Sequence, residues 1–245
     1  MDKSYEKKYH KLEEKNWWFI SRRNFISQLM KKIGIDQNAK VLEIGCSGGP
    51  LIEFLGNTGY SDITGIDLSK DAIDLCKKRG IKKVRVMDGA KTLFRENEFD
   101  LIIASDILEH IKDDDSALCE WYRLLKPKGE LIVFVPAFNF LWSGHDEVNK
   151  HFRRYNKPSL ISKMKKAQFK LQKVSYWNFF LFFPTYLLRT FQHSLLKKKS
   201  ESKDQLFELN PLINRILITL LKFENFLLKY FNFPIGVSIF VVGRK

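Results

Sequence analysis

The sequence predicts an α/β chain: a doubly wound, mostly parallel sheet of seven strands, with N-terminal helices and a helical insertion before the last strand. Three observations predict it. Short β-branched apolar runs alternate with helical patterns from residue 38 to about residue 140, the order of parallel strands joined by crossover helices. The first strand runs straight into a glycine turn, KVLEIGCSGGP at Lys40–Pro50, with Pro50 opening a helix. Two further strand patterns, Phe169–Trp177 and Gly236–Val242, stand about 55 residues apart and bracket an aromatic-rich stretch.

Taken in order, residues 4–34 are helical by pattern, with Ile26, Leu29, Met30 and Ile33 on one face. Asn16-Trp17-Trp18-Phe19, with Arg22 and Arg23, either covers a cleft or joins the core, and core packing is expected. After the strand that holds Val41, Leu42 and Ile44 come strands at Asp62–Asp67, Lys83–Met87, Phe99–Ala104 and Glu130–Val135. Ser69 is a good N-cap for the helix carrying Ala72, Ile73 and Cys76. A helix around Asp115–Leu125 stops at Lys126-Pro127-Lys128-Gly129, and another starts at Lys157-Pro158-Ser159. The expected divisions are a helical cap at 1–37, an α/β core at 38–177, an insertion at 178–233 and the last core strand at 234–245.

Glycine at a strand-to-helix turn lets a ligand lie on the backbone, and the helix start offers free N–H groups. Gly45-Cys46-Ser47-Gly48-Gly49 lacks both the dinucleotide spacing and the Gly-Lys-Ser/Thr of a phosphate loop. Glu43 can accept hydrogen bonds from a ligand's cationic or hydroxyl groups. In open sheets, ligands bind beyond the carboxyl ends of the strands. Asp67 stands there, about 20 residues past the loop, where a carboxylate can bind ribose hydroxyls. Asp88 ends the next strand, where it could accept from an adenine amino group. The same residues also read as a ligand-free turn with carboxylate helix caps.

Glu43-x-Gly45-x-Ser47-x-Gly49 resembles motif I of the class I S-adenosylmethionine (SAM)-dependent methyltransferases, with Ser47 in place of the middle glycine. Asp67 matches that family's ribose-binding acid and Asp88 its adenine-side acid. Phe99–Ile111 (FDLIIASDILEHI) and Trp121–Gly129 (WYRLLKPKG) look like segments of its small-molecule, type 11-like group. The resemblance covers about residues 38–140 and implies a Rossmann-like fold with SAM as cofactor. It implies a cofactor site of Glu43, Gly45, Cys46, Ser47, Gly49, Asp67, Leu68, Asp88, Gly89, Ala90, Ser105 and Asp106.

Rival chemistries fit less well. Tyr122-x-x-x-Lys126 has the spacing of the short-chain dehydrogenase pair, but it precedes the fifth strand and the dinucleotide loop is missing. Asp106, Glu109 and His110 would share one helix face and could hold a divalent ion. Some methyltransferases carry a similar Glu-x-x-Glu-His site; Asp106 departs from it, and no metal is expected. A base-amino methyltransferase would carry Asn/Asp-Pro-Pro-Tyr where Ala104-Ser105-Asp106-Ile107 stands.

The net charge of +14 favours anionic partners, among which nucleic acid is the least favoured once that motif is missing. Cys46, Cys76 and Cys119 form no C-x-x-C pair, which suggests a reducing compartment and no zinc site. The charged start, MDKSYEKKYHKLEEK, has no apolar signal core, and no run of 18 apolar residues occurs. A cytoplasmic protein is expected, with peripheral contact at the inner face of the membrane as the extension of that expectation.

Past the fifth strand, residues 136–155 concentrate His, carboxylate and Arg. His145, His151 or His110 is expected to take a proton from a hydroxyl nucleophile. Arg153 and Arg154 are expected to grip an anionic group, with Trp142 and Tyr155 beside them on the acceptor. This segment is loosely similar to methyltransferases of envelope sugar and lipid-linked glycan pathways. Eleven of the 21 Phe lie between residues 174 and 245, and the basic run Lys197–Lys199 falls in the insertion. The insertion therefore reads as a membrane contact, a helical cap or a homodimer interface. The expected function is methyl transfer to a small-molecule or lipid/glycan-linked acceptor, at oxygen. A catalytically silent membrane-binding scaffold on the same fold, or an RNA methyltransferase, is the alternative.

Overall fold

The computed structural model describes residues 3–195 and 209–245, so the basic run Lys197–Lys199 lies outside the described residues. Seven strands form one sheet in the order β3-β2-β1-β4-β5-β7-β6. They are β1 (Val41–Ile44), β2 (Ile63–Asp67), β3 (Val84–Val86), β4 (Phe99–Ser105), β5 (Leu125–Pro136), β6 (Lys170–Trp177) and β7 (Ser238–Arg244). β1 to β5 run parallel, and β7 inserts antiparallel between β5 and β6. The expected turn at Lys126–Gly129 does not separate helix from strand. It is an irregularity inside β5, where the register with β4 jumps between Phe99 and Leu101.

Alternation along each strand sends side chains to two separate cores. Leu42, Ile102, Leu131, Val133 and Val241 meet Leu118 and Trp121 of α5 (Asp114–Leu124) and Leu160 and Met164 of α7 (Lys157–Lys166). Val41, Leu101, Ile103, Phe134 and Phe240 face the other way. They pack on Phe25, Ile26, Leu29 and Met30 of α2 (Trp17–Lys32), with α3 (Pro50–Asn57) and α4 (Lys70–Lys78) on the same side.

The helix expected over 4–34 is two helices, α1 (Lys3–Lys15) and α2. Asn16 leaves helical geometry between them, and its side chain accepts from the Trp18 N–H at 3.0 Å. After α6 (Gly144–Val148), the insertion supplies α8 (Phe182–Leu195) and α9 (Pro211–Leu227). Leu221 and Leu228 join the second core beside α2. Asn225 receives the indole N–H of Trp177 at 2.8 Å and donates to the Ser21 carbonyl at 3.2 Å. α9 is therefore part of the core layer, and the boundary expected at residue 178 divides no packing unit. None of the described helices is long and apolar enough to cross a membrane.

Candidate active site

A cavity of about 640 Å³ opens beyond the carboxyl ends of β1, β2 and β4. The loop after β1 builds its floor. Gly45 takes φ 74°, and an added Cβ would sit 2.9 Å from Ile107 Cδ1, so only glycine fits there. Ser47 is also left-handed, at φ 50°, a conformation a glycine adopts without strain. Its N–H donates to Asp67 Oδ2 at 2.9 Å, while Asp67 Oδ1 accepts from the Ser69 N–H at 2.8 Å. One carboxylate thus ties the loop to the start of α4 while facing the cavity.

Of the twelve residues expected at the cofactor, the structure brings Glu43, Gly45, Cys46, Ser47, Asp67, Leu68, Ser105 and Asp106 together on the walls of this cavity. Four predicted cofactor residues do not. Gly49 is the left-handed N-cap of α3, where a Cβ would meet Ile81 Cδ1 at 2.5 Å. Asp88 turns its carboxylate back onto the Ala90 N–H at 2.8 Å. Gly89 exists to admit Ile44, whose Cγ2 would lie 2.4 Å from its Cβ, and its carbonyl accepts from the Trp121 indole. All four, Gly49, Asp88, Gly89 and Ala90, lie off the cavity walls.

The roof comes from the N-terminal helices, and the sequence did not single out its α1 residues. Tyr9, His10 and Glu13 of α1 and Phe19, Arg22 and Arg23 of α2 close the cavity from above, so this aromatic segment covers the cleft as well as packing in the core. Ser47 Oγ donates to Glu13 Oε2 at 2.6 Å, with His10 Nδ1 at 3.0 Å. Arg22 is buried between the rings of Phe134 (4.2 Å) and Trp177 (4.3 Å) and donates to Asp106 Oδ2 at 2.7 Å and Ser105 Oγ at 3.0 Å. Burial lowers the Arg22 pKa, against the opposing pull of Asp106. An arginine on an otherwise apolar helix face was the signal available for it.

A second cavity, of about 490 Å³, adjoins the first and shares Tyr9, Phe19, Asp106, His110 and Asn149 with it. Trp17, Trp18, Leu188 and Leu217 give it apolar walls. Three histidines gather there. The His110 and His151 rings meet edge to face at 4.4 Å, and His145 stands 5.9 Å from His151. Burial, then the neighbouring His151, pushes His110 down to about 3 and His145 down to about 4. Both imidazoles are neutral near pH 7, each with an unprotonated ring nitrogen able to accept a hydrogen bond.

Asp146, which the sequence did not single out, holds this group together from a fully buried position. It accepts from His151 Nδ1 at 2.9 Å and from Arg154 Nε and Nη2 at 2.8 Å each. Burial resists its ionisation, but these donors outweigh that and hold its carboxyl well below the usual carboxylate range. The two arginines expected to grip an anion part company. Arg154 lines the second cavity with its guanidinium paired to Asp146, whereas Arg153 pairs with Asp114 at 2.7 Å and the Lys112 carbonyl at 2.6 Å and lies outside both cavities. Tyr155 is buried and donates to Asp114 Oδ2 at 2.8 Å, so it braces the loop and touches neither cavity. Trp142 also lies off both cavity walls.

The expected helix face of Asp106, Glu109 and His110 does not form. Asp106 adopts φ 54° and residues Leu108–His110 make a single 3-10 turn. The turn instead brings Glu109 and His110 to His151, with ligand atoms within 4.8 Å of one another. Glu109 is fully buried, neither carboxylate oxygen has a hydrogen-bond partner among the described residues, and burial with nearby Asp106 raises its pKa well above normal. These three residues, a set the sequence did not assemble, could hold a divalent cation.

Residues 42–133 match the family model of a methyltransferase domain. The ubiquinone biosynthesis O-methyltransferase of Pelagibacter ubique is 32% identical over 162 residues, which span 58% of this chain and 66% of that protein. Its counterpart in Methylococcus capsulatus is 34% identical over 106 residues, 41% and 44% of the two chains. The chain thus spans less than two thirds of the length of these curated relatives. Among solved structures, a SAM-dependent methyltransferase from Archaeoglobus fulgidus superposes with a TM-score of 0.58 at 18% identity, covering 97% of this chain and 99% of that one. Phosphoethanolamine N-methyltransferase 2 of Haemonchus contortus, in complex with SAM, gives 0.59 at 21% identity over 91% of this chain and 52% of that one.

Proposed function

Since the chain belongs to the class I SAM-dependent methyltransferase superfamily, we propose that it methylates a hydroxyl of an amphiphilic small molecule held in the second cavity. One observation carries this reading: the two cavities meet at Asp106 and His110, so a methyl donor and an acceptor can face each other across that junction. The relatives named for O-methylation in ubiquinone biosynthesis support the choice of oxygen.

The first cavity suits a cationic adenosyl cofactor. Glu13, Glu43, Asp67, Asp71 and Asp106 line it, and Glu43 Oε2 is buried without a hydrogen-bond partner among the described residues. Burial raises the Glu43 pKa, and Cys76, Glu13 and Asp67 add to the rise; a cation beside it would relieve that strain. Asp67 and the loop from Gly45 to Ser47 would hold the ribose and amino-acid parts. SAM, when bound, supplies an electrophilic methyl group on a sulfonium. The protein's share is mostly alignment, which can contribute about 7–11 kcal/mol to lowering a barrier of this kind. His110, kept neutral by burial at the junction of the two cavities, accepts a hydrogen bond from the acceptor's hydroxyl and orients it toward the methyl donor. Arg22 fixes Asp106 at the junction. Trp17, Trp18 and Leu217 hold the acceptor's apolar body and exclude water.

Calorimetric titration with SAM and with its demethylated product tests the cofactor site. Micromolar binding to both, lost in Asp67→Ala, is expected; unchanged affinity in that variant refutes the assignment. Transfer of labelled methyl from SAM to hydroxylated amphiphilic aromatics, reduced at least a hundredfold in His110→Ala, is the expected catalytic result.

A further inference from the structure

α9 has two faces of different character. Leu221, Glu224, Asn225 and Leu228 are buried in the fold. The opposite side exposes Leu212 (67%), Ile216 (58%), Phe223 (54%) and Phe226 (50%), with Tyr230 in the turn that follows. At the 3.6-residue period these positions form one stripe along the helix. Arg215 and Lys222, with Lys229 just past the helix end, are spaced seven residues apart and form a basic row along one edge of that stripe. The single acid of α9, Glu224, is buried and accepts from the Phe180 N–H at 3.2 Å and from the Asn178 N–H. The exposed surface of α9 therefore carries positive charge and no negative charge. α8 repeats the pattern: Phe183, Leu187 and Phe191 are exposed, and the helix sequence holds no acid.

We propose that this face is a docking surface for an anionic phospholipid bilayer, with α9 lying in the interfacial plane. Phenylalanine and leucine edged by lysine and arginine are the chemistry that an acyl boundary under anionic headgroups recognises. A second copy of the chain fits poorly. A two-fold contact would bring two basic rows together, with no acid on either helix to neutralise them and a chain charge of +14 behind each. A nucleic acid would leave the phenylalanines facing phosphate. The same helices border the second cavity, through Leu188 and Arg189 of α8 and Leu217 of α9. If the proposed methyl transfer holds, its acceptor then reaches the cavity from the lipid side; the docking itself requires no catalysis.

Co-sedimentation of the full-length protein tests the docking. Vesicles of phosphatidylglycerol and phosphatidylcholine in equal parts are expected to pull the protein down, and pure phosphatidylcholine vesicles to leave most of it in solution. Lys222→Ala should weaken partitioning about fivefold, and Phe223→Ser with Phe226→Ser should abolish it while cofactor affinity and circular dichroism stay unchanged. Equal partitioning onto both vesicle types, no sedimentation at all, or a lipid-free dimer that the Phe223→Ser, Phe226→Ser variant dissociates would each overturn the proposal. SAM titration of the same samples reads the cofactor site separately, so the two readings fail independently.

Discussion

Asp146→Asn is the perturbation that probes the histidine cluster most directly. The wild-type carboxylate is fully buried and takes three charge-assisted hydrogen bonds from His151 and Arg154. Asparagine keeps one acceptor oxygen but loses the charge, leaving Arg154, only 6% exposed at its side chain, as an uncompensated buried cation. Breaking a buried pair in this way costs about 3–5 kcal/mol, and the retained oxygen argues for the lower end. For a chain of this size that corresponds to a fall in melting temperature of about 6–12 °C at pH 7. The deficit depends on pH in a defined direction. The folded carboxyl ionises below its ordinary value of 3.8, so its contribution is complete above that value and disappears as pH falls through the folded pKa. Wild type and variant should therefore converge in acid. The amide also presents an N–H to His151 Nδ1, which reverses the tautomer and removes the acceptor nitrogen from the cavity side. Thermal melts carried from pH 7 to well below the ordinary carboxylate value of 3.8, with the Arg154→Leu, Asp146→Leu double variant as control, check this. The double variant should regain most of the loss, because an apolar pair of similar size removes the orphaned charge. A single variant that melts within about 2 °C of wild type at pH 7, with no acid convergence, would refute the triad.

Two further outcomes follow from the same cluster. His110 and His145 hold their pKa values below the ordinary 6.5, at about 3 and about 4, so the unfolded chain takes up protons that the folded one refuses. Stability should fall as pH drops from 7 to 5, with a limiting slope near 1.4 kcal/mol per pH unit for each histidine, and His145→Gln should flatten that fall in urea titrations; an unchanged slope would place His145 in solvent. Divalent cations should raise the melting temperature of the wild type and leave His151→Ala unmoved, since removing one of three converging ligands disables the site. No shift at millimolar cation would leave Glu109 as a protonated carboxyl.

What the sequence disclosed was what local patterns encode. The glycine turn, the Asp67 carboxylate and the strand order up to Val135 depend on spacing over at most a few tens of residues, and their outcome could be read directly. Asp88 stands off the cavity because a carboxylate at a strand end serves a turn as readily as a ligand, and here its Oδ1 accepts from the Ala90 N–H. The partners of the Arg153-Arg154-Tyr155 run were hidden for a different reason. Three ligand-like side chains in a row were satisfied by Asp114 and Asp146, one of them about 40 residues away, and no spacing rule reveals such a pairing. The same holds for the roof: Glu13 and His10 reach Ser47 only because α1 folds back over β1. The insertion read as a membrane contact, a helical cap or a dimer interface; one side of α9 lies in the core and the other outside it, a division that only packing decides.

The seam between α2 and α9 bears on how the chain comes into being. The Trp17 N–H donates to Asn214 and the Asn214 amide returns to the Lys15 carbonyl, joining residues almost 200 positions apart. A ribosome delivers the amino terminus first, and closing so long a loop is slow. During synthesis the roof over the glycine loop lacks these bonds until α9 has emerged. Until then Trp17 and Trp18 stand without Asn214 and Leu217, the α9 residues that meet them in the folded chain.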